Sequence, residues 1–273
     1  MKVLTHLTIA IALMTPLLAQ TPTPVSSAEA QAKQELNEAA RAYREGNFAE
    51  AQAHSEKALL LDPQNKTAPY FVARTIHAQY KPGDFTPDNV AKAREAIIAY
   101  NRVLERSPND DEAYKAIAFL YGAIKEEDLL RDWILQRAGN ASLPNDKRAE
   151  AFVVLASKGW DCSFQITERP GTKVTTADEK NVRVSYQMPK ERAEFDRAKE
   201  CADRGLEMAN MAISLTPENE SAWSYKTNVL LELSKLAEMS GDGLHQRELQ
   251  QQYKEALKET TRLSQQNAAQ SKP

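Results

Sequence analysis

The chain has 273 residues, of which 42% are hydrophobic and 27% are charged, so it can bury a substantial core and is not disordered by composition. Its formal net charge is −3 at pH 7. Nucleic-acid-binding proteins usually carry a basic excess, and this chain shows no stripe of lysine and arginine interleaved with aromatic residues. We therefore expect no nucleic-acid partner.

The first 19 residues have the three parts of a secretory signal peptide. Lys2 supplies a positive start, residues 3–14 are mostly apolar, and Ala19 is the small residue expected at a cleavage site. The apolar run is shorter than the roughly 20 residues needed to span a bilayer. We therefore predict a signal peptide over residues 1–19 and a flexible leader over residues 20–27. The mature protein is expected to be periplasmic or secreted, without stable membrane insertion.

A short phrase recurs along the rest of the chain. It is most complete at residues 51–65, which end in Leu-Asp-Pro-Gln-Asn, and it returns in altered form at residues 96–109 and 205–219. Recurrence of this kind indicates a repeat architecture. Each copy is predicted to be a helix that ends near a proline, because proline disfavours helical geometry at the preceding residue and lacks an N–H group.

The first copy also contains the residues expected in a pair of helices. Gly46 is predicted to close the turn between them in a left-handed conformation, while Ala51, Ser55 and Ala58 place small residues on one face of the second helix. Together with Pro63, these positions resemble the tetratricopeptide repeat (TPR), a pair of antiparallel helices. The resemblance implies a TPR family protein of the secreted or periplasmic bacterial kind.

The implied fold is an all-α, TPR-like solenoid of helical hairpins, interrupted by a small β-hairpin and closed by a C-terminal capping helix. Glu35 and Glu38 stand where the family has bulky apolar residues, which fits a polar terminal cap. A longer loop near residues 81–90 is interpreted as a plain insertion or as a partner contact. We place the solenoid at residues 28–266, its repeats at 28–65, 66–109, 110–139 and 220–263, and a disordered tail at 267–273.

A change of period interrupts the helical pattern after the third repeat. Residues 162–168 alternate apolar and polar, Pro170-Gly171 is a turn signal, and residues 182–186 alternate again. This pattern predicts a β-hairpin within residues 162–187. Because a two-stranded hairpin is marginally stable alone, it should pack on neighbouring helices. Pro189 is expected to open the next long helix.

The two cysteines, Cys162 and Cys201, are predicted to form a disulfide, because exported proteins keep disulfides that the cytosol would reduce. The bond would tie the base of the hairpin to the long helix. A zinc site needs about four ligands, and neither cysteine has another cysteine or a histidine nearby in sequence. A catalytic thiol would need a base that only the fold could supply.

Motifs typical of enzymes are missing from the sequence. It contains no P-loop, no dinucleotide-binding glycine fingerprint, and neither H-E-x-x-H nor G-x-S-x-G. The acidic clusters at residues 110–112 and 126–128 are interpreted as helix starts rather than as calcium or general-acid sites, because carboxylates there oppose the positive end of the helix dipole. We predict no enzymatic activity, no cofactor and no metal.

The resemblance implies binding of a protein or peptide in a concave groove lined by the first helix of each repeat. The leading hypothesis is an exported scaffold; the alternatives are a fixed structural subunit of a cell-envelope assembly and, remotely, a thiol-dependent enzyme using Cys162 or Cys201. Aligning the first helices with the family pattern places these residues in the groove: Tyr43, Arg44, Tyr70, Arg74, His77, Lys115, Phe119, Ser224 and Asn228.

Overall fold

The computed structural model of the chain describes residues 27–177 and 181–270. The predicted signal peptide, nearly all of the leader and residues 271–273 lie outside the described residues. The chain divides into two compact units, Met1–Gln79 and Tyr80–Pro273, and this division falls within the predicted second repeat.

Over residues 27–79, the first unit contains three helices: α1 (Ser27–Arg44), α2 (Phe48–Leu61) and α3 (Ala68–His77). Gly46 lies in the turn between α1 and α2 with φ +82°, the left-handed conformation that the sequence predicts for it. The small residues Ala51, Ser55 and Ala58 are buried on α2, where the helices approach closely. Leu36, Leu59 and Leu61 pack against a buried cluster of Ala32, Ala58 and Ala68.

The second unit contains seven helices and two strands within the described ranges. The helices are α4 (Pro87–Arg106), α5 (Asp111–Ala123), α6 (Glu127–Gly139), α7 (Asn145–Thr167), α8 (Arg192–Leu215), α9 (Glu220–Ser240) and α10 (Gly243–Gln270). The strands β1 (Lys173–Ala177) and β2 (Val182–Tyr186) pair antiparallel, with Lys173 opposite Tyr186. The predicted fold class, all-α and TPR-like with one small β-hairpin and a C-terminal helix, is confirmed.

The predicted start of the hairpin is wrong. Residues 162–167 belong to the end of α7, and Pro170-Gly171 connects that helix to β1 instead of joining two strands. Apolar residues alternate there in sequence, but burial follows helical spacing, since Ser163, Ile166 and Thr167 are the buried residues. Packing on the neighbouring helices therefore decides the conformation, and a short window of alternation cannot reveal it.

Two helix ends also differ from the sequence-based expectation. α8 begins at Arg192, after residues 187–191, which belong to no helix or strand, and not at Pro189. α10 continues to Gln270, so residues 267–270 are helical and not part of a disordered tail. A contact with α9 accounts for this extension, because Asn267 Nδ2 donates to Glu220 Oε2 at 2.7 Å.

Cys162 and Cys201 form the predicted disulfide, with their Cα atoms 5.9 Å apart. The bond joins α7 to α8, because Cys162 lies within α7, and so it does not tie down the base of a hairpin as expected. The β-hairpin instead lies in the connection between these two helices. The disulfide therefore fastens a helical pair whose connection is unusually long.

The base of the β-hairpin is held by a cluster of charged side chains. Glu168 accepts hydrogen bonds from Lys173 (2.5 Å), Lys235 (2.8 Å) and the Tyr186 hydroxyl (3.1 Å). Lys235 also donates to Glu232 at 2.6 Å, and both of these residues are buried. Because Lys235 and Glu232 belong to α9, the cluster anchors a marginal hairpin to a long helix.

The loop before α4 is held by hydrogen bonds with one buried side chain. The buried side chain of Asn89 donates from Nδ2 to the carbonyl oxygens of Lys81 (2.8 Å) and Asp84 (2.6 Å). Its Oδ1 accepts from the Lys81 N–H at 2.8 Å. The loop presents Phe85, which is 50% exposed and lies with its ring centroid 4.4 Å from the Lys125 ammonium nitrogen.

Candidate functional site: a groove in the first unit

An open groove of about 530 Å³ runs along the first unit between α1 and α3. Its apolar wall consists of Leu36 and Ala40 from α1 and Phe71 from α3. Polar side chains surround this wall: Glu29, Lys33, Asn37, Asp62, Asn65 and Thr67. An apolar wall with a few polar groups around it is the usual composition of a binding site.

One rim of the groove is fixed by the last residue of the recurring phrase. Asn65 Oδ1 accepts hydrogen bonds from the backbone N–H groups of Thr67 and Ala68, both at 2.9 Å, at the start of α3. Its Nδ2 donates to Asp62 Oδ2 at 3.0 Å. The asparagine therefore ends one copy of the phrase and bonds the backbone at the entry to α3, the helix that carries Phe71.

In the second unit, α5 and α9 each begin with a side-chain cap. Asn219 Oδ1 accepts from the Ala222 N–H at 3.0 Å at the start of α9. Asp110 Oδ1 accepts from the Ala113 N–H at 2.8 Å at the start of α5. The carboxylate of Asp110 therefore acts as a helix cap, as the sequence predicts for this acidic cluster.

Five of the predicted groove residues lie in the first unit, and the structure brings two of them together. The guanidinium carbon of Arg74 lies 4.7 Å from the ring centroid of Tyr43. Arg44 is exposed, and Tyr70 and His77 are half-buried. Burial lowers the pKa of His77, so its imidazole is neutral at pH 7.

The groove wall is built from residues other than these five. Leu36 and Ala40 precede Tyr43 by two turns and one turn of α1, and Phe71 is next to Tyr70. The signal for the α1 residues was present in the sequence, because Leu36, Ala40 and Tyr43 recur at helical spacing. Phe71 carried no comparable signal, since its orientation depends on how α3 packs.

The other four predicted groove residues lie in the second unit. Lys115 is exposed on α5 and forms an ion pair with Asp111 at 3.1 Å, while Phe119, one turn later, is 52% exposed. Ser224 and Asn228 are half-buried and one turn apart on α9. The assignment of all nine residues to one binding groove stays a prediction.

The acidic residue Glu35 faces α2 rather than the groove. Its carboxylate accepts from Lys57 and His54, each at 2.6 Å. The hydrogen bond from Lys57 and that from His54 lower the pKa of Glu35. A polar contact therefore replaces the apolar contact that the family pattern predicts at this position.

Residues 27–177 and 181–270 contain neither a cluster of metal-ligating side chains nor a helix suited to crossing a membrane. Within these ranges, no three histidine, cysteine, aspartate or glutamate side chains come together in a group that could hold a metal ion. No helix in the described part of the chain combines the length and apolar composition needed to cross a membrane.

No family model matches the chain, and no curated protein matches it. Among solved structures, the chain is similar to MamA (segment 41-end) from Desulfovibrio magneticus RS-1, with 15% identity, coverage of 91% of this chain and 99% of that chain, and a TM-score of 0.43. It is similar to a TPR repeats protein from Bacteroides fragilis NCTC 9343, with 15% identity, coverage of 72% and 97%, and a TM-score of 0.31. For the TPR2AB domain of yeast Sti1 in complex with pHSP90, the identity is 15%, the coverage 83% and 98%, and the TM-score 0.32. The chain is thus similar to tetratricopeptide-repeat proteins.

Proposed function

We propose that the chain is a protein-interaction scaffold that binds an extended segment of a partner polypeptide in the groove between α1 and α3. The observation that carries this proposal is the groove itself, with its apolar wall of Leu36, Ala40 and Phe71 inside a polar rim. Apolar anchors surrounded by hydrogen-bonding groups suit a peptide, because side chains enter the apolar part while the backbone meets the rim.

The proposed role is binding rather than catalysis. The sulfur atoms of Cys162 and Cys201 are bonded to each other in this structure, so neither residue has the thiolate that a nucleophilic mechanism requires. Asp110 is engaged as a helix cap. These assignments account structurally for residues that could otherwise suggest chemistry.

A groove-filling variant tests this proposal. Ala40→Trp places a large side chain in the groove wall, whereas Leu60→Trp adds the same group at a residue of α2 that is 81% exposed and is not part of that wall. The unmodified protein and both variants, each checked by circular dichroism, would be used for affinity capture from crosslinked cells. We expect one set of partners with the unmodified protein and Leu60→Trp, and loss of that set with Ala40→Trp.

The same capture separates the two binding roles. A transient peptide complex should be displaced by a synthetic peptide that contains the crosslinked segment of the partner. A fixed subunit of a cell-envelope assembly should instead copurify in constant stoichiometry and resist this competition. Equal capture by Ala40→Trp and the unmodified protein would contradict binding in this groove.

We also propose that the protein works outside the cytoplasm after cleavage following Ala19. The signal-peptide pattern of the sequence supports this proposal, and a disulfide between Cys162 and Cys201 is compatible with an oxidising compartment. N-terminal sequencing of protein from periplasmic and medium fractions tests it. The expected mature protein begins at Gln20; a full-length chain confined to the cytoplasmic fraction would refute export.

A further inference from the structure

A small open pocket in the second unit has an aromatic wall. Its volume is about 140 Å³, and it lies beside the end of α4 and along α5 and α6. The rings of Tyr114 and Trp133 are stacked there, with their centroids 5.6 Å apart and their planes 18° from parallel. The Trp133 indole N–H donates to the Tyr114 carbonyl oxygen at 3.3 Å, which fixes the wall.

A buried cation lines the same pocket. Arg137 is only 7% exposed, and its guanidinium carbon lies 4.0 Å from the centroid of the Tyr114 ring. A guanidinium carries five N–H donors. Asp111 accepts a hydrogen bond from Nη2, and the structure shows no second acceptor for this guanidinium among the described residues. The pocket is therefore the space in which a further acceptor could reach it.

The charges around Arg137 favour an additional anion. The single carboxylate of Asp111 contacts three cations, namely Arg137, Lys115 at 3.1 Å and Lys147 at 3.3 Å. Glu150 also forms an ion pair with Lys147, with the nitrogen and oxygen atoms 3.3 Å apart. These five side chains carry three positive charges and two negative ones, so the ion-pair network that includes Arg137 has a net positive charge.

We propose that this pocket binds a small organic carboxylate, with its carboxylate on the Arg137 guanidinium and its apolar body against Tyr114 and Trp133. The planar guanidinium matches a carboxylate in two parallel hydrogen bonds. A cavity of about 150 Å³ accommodates benzene, so the apolar body should be about the size of one ring. The amide side chains of Gln136 and Asn140 complete the polar side of the pocket.

The carboxylate could belong to a free acid or to a polypeptide, and the chemistry of recognition is the same. The proposal is independent of the groove between α1 and α3, because every residue it uses lies in the second unit. A result that contradicts one proposal therefore does not contradict the other.

Benzoate and its neutral analogue benzamide provide the direct test on the unmodified full chain. The Trp133 indole N–H signal, assigned in ¹H–¹⁵N spectra by its loss in Trp133→Phe, reports on the pocket. We expect benzoate to shift this signal saturably and benzamide to bind at least about tenfold more weakly, since hydrogen bonds to charged groups contribute that much or more. Equal binding of the two compounds, or no shift with any carboxylate tested, would overturn the proposal.

Two further measurements test whether Arg137 binds the carboxylate and whether that carboxylate can belong to a polypeptide. Arg137→Met should weaken benzoate binding at least about tenfold, because Lys115 and Lys147 still neutralise Asp111 but the guanidinium is gone. Arg131→Met removes the same charge from α6 outside the pocket lining and should leave the affinity unchanged. N-acetylphenylalanine, compared with its amide, shows whether a peptide-borne carboxylate binds. If Arg137→Met does not fold, the comparison of benzoate with benzamide on the unmodified protein still tests the proposal.

Discussion

Gly159 of α7 and Gly205 of α8 face each other so closely that a Cβ atom on Gly159 would lie 2.7 Å from the Gly205 Cα. The same Cβ would lie 2.7 Å from the carbonyl oxygen of Cys201. These neighbours are backbone atoms, which cannot move aside as a flexible side chain can. The two glycines therefore allow the close crossing of the helices that the disulfide joins.

Gly159→Ala should destabilise the protein by about 1–3 kcal/mol, the usual cost of overpacking a core. Gly139→Ala is the matched control, because a Cβ on Gly139 meets no atom within 4 Å. The control should be neutral or slightly stabilising, by up to about 1 kcal/mol, since it restricts the unfolded chain. Urea unfolding measures both changes, and equal stability of the two variants would contradict the close crossing.

Loss of the disulfide should lower the free energy of unfolding substantially. Closing a loop across a sequence separation of 39 residues is worth about 4 kcal/mol in the loop-entropy model. The Cys162→Ser/Cys201→Ser double variant and the reduced protein should therefore melt at similar, lower temperatures than the oxidised protein. Peptide mapping without reductant checks the bond itself; free alkylation of both cysteines would refute it.

Asn89→Ala should loosen the loop before α4. The substitution removes three hydrogen bonds to the loop backbone and should cost about 2–3 kcal/mol, at roughly 1 kcal/mol for each bond. Hydrogen exchange should accelerate over residues 81–86. Asn101→Ala is the control, since the Asn101 side chain donates to the Ile97 carbonyl oxygen of its own helix and not to the loop that the structure describes. Unchanged exchange in Asn89→Ala would show that the loop is ordered by other contacts.

Stability at acidic pH should depend on Glu168. Burial alone would raise the pKa of Glu168, but hydrogen bonds from Lys173 and Lys235 and the charge of Lys235 lower it from 4.5 to about 2. Because the folded state holds the ionised form more strongly, this stabilisation is present above pH 4.5 and is lost as the pH falls towards 2. The difference in unfolding free energy between the unmodified protein and Glu168→Gln should therefore narrow over this range. A difference independent of pH would contradict the assignment.

The sequence correctly predicted turns and helix starts that depend mainly on residues close together in the chain. Gly46 adopts the left-handed turn expected of it, and Asp110 caps the start of α5 as expected for its acidic cluster. The conformation of residues 162–167 could not be predicted in this way, because their alternation is compatible with a strand and packing on the neighbouring helices selects the helix. Gly205 shows the same limit, since it replaces the alanine of the other two copies for a reason visible only in its contact with Gly159.

The sequence revealed less of the candidate sites than of the fold. The Leu36 and Ala40 side of the groove follows from helical periodicity, but the contribution of Phe71 depends on the position of α3. The sequence did not predict the role proposed for Arg137, because nothing in a short stretch of sequence shows that a charged residue on α6 is buried against Tyr114. Sites formed between helices need tertiary structure to be recognised.

The most direct test of the proposed function is site-specific photocrosslinking in intact cells. A photoreactive phenylalanine analogue would replace Phe71 in the groove wall or, as a control, Leu60 on the exposed side of α2. We predict an abundant crosslink to one polypeptide at position 71, mapped by mass spectrometry to a short extended segment, and no such product at position 60. No crosslinked polypeptide at position 71, or the same product in equal abundance at positions 71 and 60, would contradict binding in the groove.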